Sequence, residues 1–349
     1  MPTLEIKSLQ HPNPPSGPKP SLARARLAPP AYTRFGRAPT GVTERTILNL
    51  SSKGYLLIHL CVLLFGFTPL MGRLITLDAI PLVWWRMGLA ALALLLLPAT
   101  WGGLRRMSAH LWGVCAAGGV VLAITWALFY QAVKLANASA AAICLATAPL
   151  FVAVVGPVLT RRHWRRSDLL LALIILPGIA LVVGGVPRQM GLGLVLGLLS
   201  AAVLTGFAGI NKYLSRRTHA LSSTCLEMAA GAAFLALLMA VLPQFKLQML
   251  VPDGRDLALL LVFAVLLTAL PIALMLVALR TITVFAQQMV VNLEPVYAVL
   301  LAIPILGEQQ ELNPLFYLGV VVIVGAVMTE PLLQRLRMRF ARRRPSDAP

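Results

Sequence analysis

The sequence predicts an all-α polytopic membrane protein, with ten transmembrane helices arranged as two inverted five-helix repeats. Three observations carry that expectation. Of 349 residues, 58% are hydrophobic and only 12% charged, with a mean hydropathy of +0.82; a soluble domain carries about 25% charged residues. The apolar residues gather in runs of about 20, the length that crosses roughly 30 Å of hydrocarbon. Two stretches of chain also match at a constant offset. Strand-like alternation is absent, which argues against a β-barrel.

The runs fall at residues 54–73, 79–98, 111–133, 138–160, 168–186, 191–211, 222–242, 256–279, 284–306 and 314–333. Most lack Lys or Arg in their interior, and none shows the polar stripe that a water-facing helix needs. Residues 1–53 differ: nine prolines precede position 50 and eight Lys or Arg are spread among them. Proline at that density prevents regular helix, so a disordered, basic cytoplasmic tail is expected. It has no apolar h-region and does not read as a signal peptide. Residues 335–349 read as a second basic cytoplasmic tail.

The 30 basic residues against 12 acidic ones, a net charge of +18, first suggest nucleic acid. Their placement argues otherwise. With the N-terminus cytoplasmic, 24 fall in the tails and the loops after helices 2, 4, 6 and 8, among them Arg161, Arg162, Arg165 and Arg166. Five fall outside: Arg73, Lys134, Arg188, Lys246 and Arg255. This positive-inside bias puts both termini in the cytoplasm of a cell that carries the protein in its inner (plasma) membrane. Basic tails beside a bilayer attract anionic headgroups at about 1 kcal/mol per residue, so lipid is an expected partner and nucleic acid is not. Cys61, Cys115, Cys144 and Cys225 all lie in spans without zinc-site spacing, and no cofactor or metal is expected.

At an offset of 146, Ala132 meets Ala278, Lys134 meets Arg280 and Pro149 meets Pro295. The segments Pro149-Leu150-Phe151-Val152 and Pro295-Val296-Tyr297-Ala298 run in register. An odd number of spans per repeat inverts the second half relative to the first, an architecture that places a transporter's substrate site near the midplane. Pro149 and Pro295 then read as symmetric kinks bordering a central cavity.

Together with Trp84-Trp85-Arg86 early in the second span, and Asn292-Leu293-Glu294-Pro295 followed by Gly307-Glu308, these features make the sequence resemble the drug/metabolite transporter superfamily, in particular its EamA-type members. The resemblance covers residues 54–334 and divides them into repeats at 54–186 and 191–334. It implies secondary transport of small metabolites such as amino acids, nucleosides or drugs, with export the commoner direction. One departure stands out. Glu308 follows Pro295 by thirteen residues, whereas Arg162 stands thirteen after Pro149.

Ionisable groups within spans cost about 2.5–3.5 kcal/mol at a helix centre and call for a reason. Arg86, Glu227 and Glu294 are the three candidates. Glu294 is a proton-coupling carboxylate or an anchor for a substrate amine, unless it is a fixed partner of Arg86 or a hydrogen-bonded structural acid. Arg86 suits a bidentate contact to a substrate carboxylate, or it neutralises a glutamate or reaches headgroups. Glu227, nearer a membrane surface, has a coupling role or a structural pairing. Asn292, Gln287, Gln288 and Tyr297 on the ninth span, and Trp126, Tyr130 and Gln131 on the third, are residue types that line a cavity for a small amphipathic ligand. His59 reads as a buried neutral histidine. The Gly118-Gly119 and Gly184-Gly185 pairs read as close helix contacts.

A transporter is therefore the first expectation, rocking residues 54–186 against 191–334 with proton coupling or exchange as the drive, since no Walker motif appears. A lipid or lipid-linked flippase is an alternative. So is an intramembrane enzyme, although GxSxG, HExxH and paired-aspartate motifs are all missing. Charge type alone (an arginine with two glutamates) suits a zwitterion such as an amino acid.

Overall fold

The computed structural model describes residues 44–160, 166–243, 245, 250–279, 282, 287 and 290–343. The tail to residue 43, Arg161, Arg162, Arg165, Trp164, Lys246, Arg280 and Gln288 lie outside them. By contacts the chain divides into residues 1–46 and 47–349; the second unit is the subject below.

Among the described residues every regular element is helical. The helices are α1 (Glu44–Gly66), α2 (Thr68–Leu74), α3 (Ala79–Leu95), α4 (Pro98–Leu104), α5 (Ala109–Leu135), α6 (Ala138–Leu145) and α7 (Ala148–Thr160). They continue as α8 (Arg166–Gly184), α9 (Gly191–Leu214), α10 (Ala220–Val241), α11 (Gly254–Ala264), α12 (Leu270–Ala278), α13 (Glu294–Leu306) and α14 (Pro314–Arg343). Local chemistry sets several ends. Ser108, Asn137 and Asp253 cap α5, α6 and α11 by accepting from the backbone N–H three residues on. Gly307, with φ of 71°, ends α13 in the left-handed conformation that only glycine adopts without strain.

Among the described residues, five helical stretches are long and apolar enough to span a bilayer: Lys53–Leu74, Ala109–Leu135, Arg188–Leu214, Ala220–Val241 and Gly254–Ala278. A sixth forms if α3 and α4, bent by 93° at a short break, count as one. Four shorter apolar helices, Ala138–Val154, Leu173–Gly184, Glu294–Leu306 and Pro314–Thr329, occupy the places of the expected fourth, fifth, ninth and tenth spans. Part of the shortfall has a physical cause. The fourth is interrupted at residues 146–147 and the α13 stretch begins only at Glu294, each just ahead of a proline.

The two largest hydrophobic clusters among the described residues each mix the two sequence halves. One packs Leu70, Leu82 and Tyr130 from α2, α3 and α5 against Met228 of α10 and Phe263 of α11. The other packs Ile143 and Ile175 from α6 and α8 against Leu194, Val299 and Phe316 from α9, α13 and α14. Two glycines let backbone approach backbone most closely. A Cβ on Gly119 would stand 2.2 Å from the Glu227 carbonyl oxygen, and one on Gly185 2.2 Å from the Phe316 nitrogen. Leu92, Leu173, Leu237 and Val321 are exposed, as lipid-facing side chains are.

Candidate functional site

The repeat expected from sequence reappears as a matched pair of helix breaks. α7 and α13 are each 13 residues long and begin 146 residues apart, at Ala148 and Glu294. Pro149 and Pro295 occupy the second position of each, where a missing N–H costs no helical bond within the new helix. That N–H is instead withheld from the carbonyls four residues earlier, Leu145 and Val291. The backbone cannot run on as one straight helix, and both breaks open onto one cavity of about 310 Å³. Its wall includes Leu145, Pro149, Val291, Asn292, Glu294 and Pro295, with Thr205 of α9 and Phe129 of α5. Glu294 is half-buried. As the first residue of α13 it faces the positive end of the helix macrodipole, which favours a carboxylate there.

Arg86 lies elsewhere, and it has no carboxylate within ion-pair distance among the described residues. Its guanidinium carbon stands 3.6 Å from the centre of the Trp126 ring and 4.4 Å from that of Phe263. Nε donates to Thr268 Oγ1 at 3.1 Å and Nη1 to the Tyr130 hydroxyl at 2.9 Å. A desolvated cation over an aromatic face gains about 2 kcal/mol, so two rings and two hydrogen bonds offset the burial cost quoted above. The cage depends on a π-helical turn, Val265–Ala269. Pro271 would press its ring on the Leu267 carbonyl in a regular helix; the wider turn relieves this and lets Thr268 Oγ1 reach the Phe263 carbonyl at 2.9 Å.

The two hydroxyls that receive Arg86 have other partners, since Tyr130 donates to the Thr68 carbonyl and Thr268 to that of Phe263. Arg86→Met should therefore leave thermal stability nearly unchanged, as replacement of a buried ion by an apolar side chain often does. Arg86→Lys should melt lower, by roughly 2 kcal/mol, because an ammonium cannot stack on two rings and holds its water more strongly. Melting curves of the purified variants check the order; a stable lysine variant beside an unstable methionine one would contradict the cage.

The remaining sequence candidates scatter. Glu227 is buried in α10 against Gly118, and its Oε1 has no hydrogen-bond partner. Tyr297 bonds its hydroxyl to His59 Nδ1 at 3.1 Å, joining α13 to α1. Trp126 and Tyr130 serve Arg86, Gln131 is half-buried at the end of α5, and Asn292 lines the cavity.

Sequence reasoning noticed Glu308 but not its role. Buried behind Gly307, its two carboxylate oxygens accept from the N–H groups of Ala138 at 2.7 Å and Ser139 at 2.9 Å. It thus caps α6 from the opposite sequence half. Around it, Glu311 accepts from Asn137 Nδ2 at 3.1 Å and pairs with Arg73 at 3.6 Å. Asp256 Oδ2 accepts from Thr76 N at 2.9 Å and from its hydroxyl at 2.7 Å. Polar bonds therefore join the two sequence halves on this face of the unit, the capped face. The cavity is lined from the first residues of α7 and from Leu204, Thr205 and Ala208 in the later part of α9.

The sequence model of the EamA-like transporter family matches residues 52–184 and again residues 191–329. Fourteen chains of solved structure match the fold. One, described only as a crystal structure of a protein, has a TM-score of 0.52 at 16% identity, over 82% of this chain and 99% of its own. At that identity the likeness concerns fold alone. No curated protein sequence matches.

Proposed function

The chain belongs to the EamA-like transporter family, and from that premise we propose that it is a secondary transporter of small amine-bearing metabolites, working by alternating access across the inner membrane. Ten spans in two inverted repeats, 54–186 and 191–334, are part of this reading, with both termini cytoplasmic and the basic tails against anionic headgroups. The capped face is then the outer one, and the cavity is approached from the cytoplasm, the arrangement of an exporter. Glu294 holds the substrate or the coupling proton, with Asn292 beside it. Catalysis is no part of the reading.

One observation supports it above the rest: the two broken helices, one per repeat, meet at a single cavity with a carboxylate at its wall. Discontinuous helices at the repeat interface are where transporters of this kind bind substrate. Counterflow of radiolabelled amino acids and amines into proteoliposomes, at two pH values, tests it. Glu294→Gln should reduce exchange at least tenfold and abolish its dependence on an imposed proton gradient. Unchanged gradient-driven flux in that variant would remove Glu294 from coupling.

A further inference from the structure

We propose that the cavity selects a small amine with an apolar body and a single ammonium charge, in preference to an amino acid or an anion. This names the substrate class of the site above and rests on the transport reading. The argument is the hydrogen-bonding sense of the wall. Glu294 is the one charged side chain among the described residues that line it. Leu145 and Val291, whose carbonyls lose their helical donors to Pro149 and Pro295, belong to the same wall. Thr205 already spends its proton on the Ala202 carbonyl at 2.6 Å, so it too has only acceptor capacity to offer. The Asn292 amide carries donors and an acceptor and does not discriminate. The rest of the wall is apolar.

A carboxylate would need N–H donors, and the natural place for them is a helix N-terminus. Both helix starts at the cavity are poor in them. Proline removes one N–H from each, Leu150 N is bonded to the Thr147 carbonyl, and Tyr297 N to that of Leu293. At α13 the Glu294 carboxylate itself occupies the positive end. Arg86, the cation that would suit a zwitterion, is enclosed by Trp126, Phe263, Thr268 and Tyr130 and is not a wall residue. An anion beside Glu294 meets like charge, while an ammonium meets its opposite. A volume near 310 Å³ is at the small end for ligand pockets and limits the apolar body.

A trio built on the same isobutyl body separates the classes: 3-methylbutylamine, leucine, and 4-methylpentanoate. Binding to the purified full-length protein is read by calorimetry, and exchange by counterflow in proteoliposomes. The amine is expected to bind at least tenfold more tightly than leucine, and the anion not at all. Glu294→Gln should weaken the amine at least tenfold. Adding Ala148→Glu to that variant should restore binding, because residue 148 begins α7 at the same wall where residue 294 begins α13. Should Glu294→Gln fail to fold, the comparison of amine with leucine on the unaltered protein decides alone. Leucine or the anion binding as tightly as the amine, no binding by any of the three, or amine binding indifferent to Glu294→Gln would overturn the proposal. Tight, Glu294-dependent amine binding without exchange would uphold the amine site and overturn transport instead.

Discussion

Glu308→Ala should lower the stability of the purified protein by about 3 kcal/mol. The carboxylate is buried and accepts two backbone N–H bonds at the start of α6. Hydrogen bonds to a charged group contribute about 1.5–3 kcal/mol each, and the orphaned N–H groups have no water to turn to. The α6 macrodipole adds up to about 1 kcal/mol in favour of the carboxylate. Glu308→Gln keeps one acceptor oxygen and should lose about half as much. The melting temperature should fall by several degrees in the order wild type, Gln, Ala; an alanine variant within a degree of wild type would show that the cap contributes nothing. Because the cap joins the two halves, the same energy biases the capped face toward closure. Removing 3 kcal/mol raises the open fraction roughly 100-fold, measurable as faster maleimide labelling of an Ala136→Cys variant.

The second large effect is expected at Gly119. An alanine there places its Cβ 2.2 Å from the Glu227 carbonyl oxygen, a backbone atom that moves only if α10 moves. Overpacking of this kind costs about 1–3 kcal/mol when neighbours can shift, and here the neighbour is a whole helix. Gly118→Ala meets side-chain atoms, Glu227 Oε1 at 3.0 Å and Ile210 Cγ2 at 3.2 Å, and should cost less because these can shift without moving a helix. Gly88→Ala meets nothing within 4 Å and should gain about 0.5–1 kcal/mol from helix propensity. Melting temperatures of the three variants should rank Gly88→Ala highest and Gly119→Ala lowest. Equal values at 88 and 119 would mean that α5 and α10 are not in close contact.

Much of this architecture is legible in the chain. Apolar runs of 20 residues mark most of the helices, and the 146-residue offset anticipates that α7 and α13 begin at matching residues. Pro149 and Pro295 were readable as kinks because a missing N–H is a property of the residue itself. Hydropathy is blind to the breaks beside them, since a window averages composition regardless of backbone direction. The surroundings of Arg86 were hidden for a different reason. A cation in a span suggests a carboxylate, whereas Trp126 of α5 reads as a cavity-lining residue and Phe263 of α11 as ordinary core. Thr268 and Phe263 are brought to it by the π-helical turn, for which Pro271 is the sequence sign. The partners of Glu308 leave no trace at all, because every residue except proline carries a backbone N–H. Only the pairing of halves in space reveals which two it takes.

Glu308 has Arg162 at its repeat-matched position, so the bond that shuts the capped face has no twin of the same chemistry encoded in the other half. A carrier that exchanges the roles of its two repeats would then have unequal resting states even with nothing bound. Solute arriving at the capped face finds only the minority of molecules that happen to be open, and its apparent dissociation constant rises by the reciprocal of that minority. With a bias of about 100 to 1, the same wall would hold the same amine about 100-fold more weakly from one compartment than from the other. One glutamate outside the cavity would make the transporter a kinetic rectifier.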